Sequence, residues 1–64
     1  MNRTATIAEV AAEAYRERAR LMEREAFLLQ LKDKPLSARI CKQYAFIARN
    51  AARAEEWSDA EARQ

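Results

Sequence analysis

From Ile7 onward, apolar residues return at alternating spacings of four and three. Ala8, Ala12, Tyr15, Ala19, Met22, Ala26 and Leu29 form a clean seven-residue repeat, the period that keeps one stripe of an α-helix turned toward a neighbouring helix. The pattern predicts a first helix over about residues 7–32. Thr6-Ile7-Ala8-Glu9 marks its start as a capping box, in which the Thr6 hydroxyl accepts from the Glu9 N–H while the Glu9 carboxylate reaches back. Pro35, the only proline, marks its end. It steers Lys34 away from helical angles and suits the first turn of a new helix. A proline inside one continuous helix costs roughly 3 kcal/mol, so a hairpin is favoured over a single kinked helix. The turn is expected over about 33–36, with Asp33 or Ser37 as the cap of a second helix over about 37–56. The acidic tail, 57–64, is expected to fray.

Within the first repeat, Ala5, Ala12, Ala19 and Ala26 recur at every seventh residue. Small residues at alternate seam positions allow two helices to approach closely, and the large ones between them fill the remaining space. A second ridge, Ile7, Val10, Ala14, Leu21 and Leu28, lies beside the seam, making an apolar face wider than one partner helix covers. On the second helix Ile40, Tyr44, Ile47, Ala51 and Ala54, flanked by Cys41 and Ala48, read as the matching seam. The expected fold is therefore all-α: an antiparallel two-helix hairpin closing into a four-helix bundle as a homodimer. Ala12, Tyr15, Arg18, Ala19, Met22, Glu25, Ala26 and Leu29 are the expected self-association residues. Arg18 and Glu25 sit inside the wide apolar face, where a lone charge is costly. Two copies of helix 1 crossing antiparallel between Leu21 and Met22 would set Arg18 of one against Glu25 of the other. The bland alternative is that both side chains reach the edge of the face.

Composition narrows the chemistry. The 64 residues contain no His, no Gly and one cysteine. The commonest general base and metal ligand is thus missing, a glycine-rich phosphate loop has no residues to build it, and no internal disulfide can form. Cys41 beside Ile40 reads as a small core residue rather than a nucleophile. Glu13 with Arg16, and Glu17 with Arg20, read as solvated ion pairs on one helix. No enzyme, cofactor or metal site is expected. Residues 1–14 lack a signal peptide's continuous apolar core, and no run approaches the ~18 apolar residues of a membrane span, so a cytoplasmic protein is expected.

Charge is uneven. Residues 1–31 hold five Arg and five Glu, residues 32–54 hold six Lys or Arg against Asp33, and residues 55–64 hold four acids against Arg63. In the basic middle, Arg39, Phe46, Arg53 and Trp57 fall along one side of helix 2 with Lys42 and Arg49 beside them. Basic residues interleaved with exposed aromatics suit phosphates and bases, or a protein groove; the plainer reading is a solvated basic face with Phe46 in a bundle. Phe27, on the charged side of helix 1, either packs onto Leu36 near the turn or meets a partner.

ARICKQY, Ala38 to Tyr44, resembles the start of the second helix in plasmid copy-number regulators of the Rop type. Those are helical hairpins that dimerise into a four-helix bundle and bind RNA loop pairs. Their RNA-binding side chains lie on the first helix, where this chain has Ala14, Arg18 and Glu25 and no aromatic. KQYAFIARNAARAE, Lys42 to Glu55, is similar to the second helix of small hairpin co-chaperones of type III secretion needle subunits, although Pro35 stands farther from Tyr44 than in that family. The first resemblance implies a homodimeric bundle, the second a chaperone-like protein binder. The expected function is a small non-enzymatic adaptor, chaperone-like or regulatory protein acting through protein contacts, with itself, another protein or both. The alternative is an RNA- or DNA-binding regulator of Rop-like architecture using the basic face of helix 2.

Overall fold

The computed structural model describes residues 5–64. Two helices, α1 (Ile7–Leu31) and α2 (Pro35–Ala62), fold back on one another into a thin plate with extents of 47 × 25 × 10 Å. Their antiparallel sense is visible in the ion pairs that cross between them: Glu9 reaches Arg63, Arg16 reaches Glu56 and Glu23 reaches Arg49.

Local chemistry explains each boundary. The Thr6 hydroxyl accepts from the Glu9 N–H at 3.1 Å, satisfying one of the free N–H groups that open α1. At the other end Asp33 takes a left-handed conformation, φ 59°, which aspartate tolerates better than most residues. That twist lets the Lys34 N–H donate to the Leu29 carbonyl at 2.9 Å and the Asp33 N–H donate to that of Gln30 at 3.1 Å, the paired bonds of a Schellman motif. Pro35 then occupies the first position of α2, so the chain turns at once instead of kinking. Neither Asp33 nor Ser37 caps α2: the capping residue is Lys34, without a side-chain hydrogen bond.

The acidic tail does not fray as expected; α2 continues through Ala62. Asp59 pairs with Arg63 one turn on at 3.0 Å, and the Trp57 indole N–H donates to Glu61 at 2.8 Å. These i,i+4 contacts support helix locally, and Arg63 also approaches Glu9 of α1 at 3.9 Å.

All the buried residues among those described are alanines: Ala12, Ala19 and Ala26 on α1, and Ala38, Ala45, Ala48 and Ala52 on α2. Ala19, Ala45 and Ala48 form the centre of the core, with Met22 packed against them. The seam expected on α1 holds at each position, with Ala8, Tyr15, Met22 and Leu29 partly buried between the alanines. The seam expected on α2 does not. Ile40, Tyr44 and Ile47 are more than half exposed, and the side turned to α1 carries Ala38, Cys41, Ala45, Ala48 and Ala52 instead. The reason is size: an alanine row opposite an alanine row lets the helix axes close up, whereas Ile or Tyr in that row would hold them apart.

Overpacking this seam carries a cost that the outer surface does not. Ala45→Leu is expected to destabilise the hairpin by ~1–3 kcal/mol, and Ala54→Leu on the exposed side by no more than ~0.5 kcal/mol. Thermal and urea unfolding followed by circular dichroism measures both.

Candidate functional site

The plate has two broad sides of opposite chemistry. One is clasped by charge. Glu23 accepts from Arg49 through both carboxylate oxygens, at 3.0 Å from Nε and 2.6 Å from Nη2. This is the two-pronged geometry that makes arginine–carboxylate pairs specific. Arg16 bridges Glu56 of α2 and lies 3.5 Å from Glu13, while Arg20 holds Glu13 at 2.9 Å and Glu17 at 2.5 Å. The expected pairs Glu13–Arg16 and Glu17–Arg20 are thus present, extended into a lattice spanning both helices. The hydrogen bond from Arg20 holds the Glu13 carboxyl below its ordinary value, and that from Arg49 does the same for Glu23.

The other broad side is apolar. Tyr15, Arg18 and Met22 of α1 face Tyr44, Ile47 and Ala51 of α2 across a shallow groove floored by Ala48. Ala11 and Ala14 extend it toward the start of α1. Val10 and Leu21 stand exposed along the outer edge of α1, as Ile40 does on α2. Among the described residues no ion pair joins the helices on this side. Arg18 and Glu25 are both exposed, and neither has an ion-pair partner within the hairpin.

The residues read as self-association positions are therefore divided. Ala12, Ala19 and Ala26 are consumed by the seam inside the hairpin and offer nothing to a second copy. Arg18 and Glu25 remain on the open side with the half-buried Tyr15, Met22 and Leu29. The α2 half of this surface is Tyr44 and Ile47, the residues expected at the internal seam. Its signal was the alanine spacing Ala38–Ala45–Ala52, the same interval of seven as on α1, which reserves the inner side of α2 and pushes the large residues outward.

The basic–aromatic set is divided as well. Arg39, Lys42 and Phe46 surround one open concavity with Gln43 and Ile47. Arg49 and Arg53 line another, but beside Glu56 and with Arg49 already held by Glu23. Trp57 is 70% exposed and bonded to Glu61. Phe27 and Leu36 are exposed at 63% and 72%, so Phe27 does not gain cover from the turn.

Among the described residues no helix is long and apolar enough to cross a membrane, and no three His, Cys, Asp or Glu side chains gather as metal ligands. No protein-family model, curated protein or solved structure matches the chain.

The clasped side has a pH signature. Because the folded pKa of Glu23 lies below its ordinary value of 4.5, the stability from its pair with Arg49 is fully present above that value. It is lost as pH falls through the lower folded value. Glu23→Gln is thus expected to melt earlier than the wild type at neutral pH and to converge with it as the pH falls below the lowered Glu23 value. Melting temperatures across the acid range, at low salt, check this; a constant gap would remove the pair from the stability of the fold.

Proposed function

We propose that this chain is a small, non-enzymatic protein-binding hairpin, an adaptor or regulatory protein with a chaperone-like mode of action, whose apolar side is covered by another polypeptide. The observation that carries the reading is the asymmetry of the plate. One side has its charges paired across the helices, while the other presents Tyr15, Met22, Tyr44 and Ile47 around a groove with no cross-helix polar contact. The broad sides of the plate extend about 47 × 25 Å, which leaves room for an interface of standard size, ~800 Å² per partner. Large apolar patches of this kind on small proteins mark interaction surfaces. A four-helix bundle formed by two hairpins stacked apolar side to apolar side is the simplest closed form, and the homodimer is its simplest composition.

A second reading, an RNA- or DNA-binding regulator, draws on Arg39, Lys42 and Phe46 around one concavity near the lysines of the turn. It is the weaker of the two because the neighbouring arginines share their side with acids. Arg49 is held by Glu23, and Arg53 stands next to Glu56.

Photo-reactive residues at Tyr44 and Met22 are expected to cross-link to polypeptide in cells, and those at Glu17 and Arg20 to remain uncoupled. Equal capture from both sides, or none from Tyr44 and Met22, overturns the reading. Nucleic-acid binding that falls steeply with salt and weakens on Arg39→Gln or Lys42→Gln would establish the second in its place.

A further inference from the structure

We infer that the occupant of the apolar side is a second copy of this chain, laid with its turn at the opposite end, so that α1 crosses α1 of the other copy and Arg18 of each meets Glu25 of the other. The inference rests on the reading that this side docks a polypeptide; it adds which polypeptide and in which direction.

Two charges stand within the apolar side. Between Ala11 and Leu29, the apolar side of α1 is interrupted only by Arg18 and Glu25. Seven residues, two helical turns, separate them, so they lie on one line along the helix. Among the described residues neither has an ion-pair partner, whereas Arg16, Arg20 and Arg49 on the opposite side are each held by a carboxylate. Any partner that covers this side takes both charges out of water, and each then needs a counter-charge.

A two-fold dimer must be self-complementary: if residue i meets residue j, then j meets i. Two antiparallel α1 helices crossing between Leu21 and Met22 satisfy this, because Arg18 and Glu25 are equally distant from that point. The pair forms twice, once on each side of the axis. The same register sets Ala14 against Leu29 and Tyr15 against Leu28, small or flat against large. Sliding either helix by one turn separates the charges, so the pair fixes the register as well as the partner.

The opposite direction fails on one residue. With both turns at the same end, α1 lies on α2 of the other copy. The ion pairs inside the hairpin show which levels match, since Glu23 stands opposite Arg49 and Arg16 opposite Glu56. By that scale Glu25 is level with Ile47 and Ala48, with Tyr44 and Ala51 a turn to either side. No cation on the apolar side of α2 is within reach, so Glu25 would be buried unpaired. The seam alanines play no part in this interface, since Ala12, Ala19 and Ala26 are already covered.

Sedimentation of the full chain tests the inference. The wild type is expected as a dimer at micromolar concentration. Arg18→Glu and Glu25→Arg are each expected to weaken it at least tenfold, and the double reversal Arg18→Glu/Glu25→Arg to restore it. A disulfide probe gives a reading independent of those charges. In a Cys41→Ser background, Leu21→Cys is expected to oxidise to a covalent dimer, because only the opposite-ended packing brings the two Leu21 positions together. A monomeric wild type overturns the second copy as occupant, and leaves the polypeptide-docking reading to its own cross-linking test. A dimer that neither the double reversal restores nor Leu21→Cys links overturns the direction and register. Circular dichroism on each variant separates loss of pairing from loss of fold.

Discussion

The close approach of two alanine rows is the constraint on which the rest of this molecule depends. Ala12, Ala19 and Ala26 face a helix carrying Ala38, Ala45 and Ala52 at the same interval, so the helices meet with little between them but methyl groups. Such a seam is thin. A buried methyl contributes roughly 0.8 kcal/mol, and no large side chain among the described residues is fully buried. The bulky residues have to stand elsewhere: Tyr15, Met22, Tyr44 and Ile47 gather on one broad side of the plate, while Phe27, Phe46 and Trp57 stand exposed away from it.

That displacement divides the molecule between two kinds of interaction. On one side carboxylates and guanidinium groups hold the helices in level, with Glu23 and Arg49 bonded through two atoms each. These pairs are exposed, so their value lies more in fixing the relative position of the helices than in stability. On the other side nothing polar crosses, and a surface rich in Tyr, Met and Ile is left over. The hairpin thus pairs part of its charge across the helices on one side and leaves an apolar groove on the other. Of the basic residues Arg39, Lys42, Arg49 and Arg53 on α2, Arg49 is the one held by a carboxylate among the described residues.

Much of this architecture was legible from residue order. The heptad of α1, the Thr6 cap and the break at Pro35 each have a local cause, and each appears in the structure. The inner side of α2 was not legible in the same way. Ile40, Tyr44 and Ile47 look like a core because burial ordinarily favours the largest apolar residues, and here a tertiary requirement for small residues reverses that preference. The end of α2 differs from expectation for a related reason: Asp59, Glu61 and Arg63 look like a solvated tail, yet Asp59 pairs with Arg63, Glu61 accepts from Trp57, and Arg63 approaches Glu9. The open side of α1, with Arg18 and Glu25 within it, followed from period alone, because the same angular arithmetic that finds the seam also finds what lies a quarter-turn away.

The bend at Asp33 has a thermodynamic consequence. A left-handed backbone is usually delegated to glycine, and this chain contains none. Every residue of the denatured polypeptide therefore carries a side chain that narrows its torsional choices, and ordering it forfeits less disorder than a glycine-bearing turn would. A single aspartate bears a small steric penalty so that the whole thread is less slack before it folds.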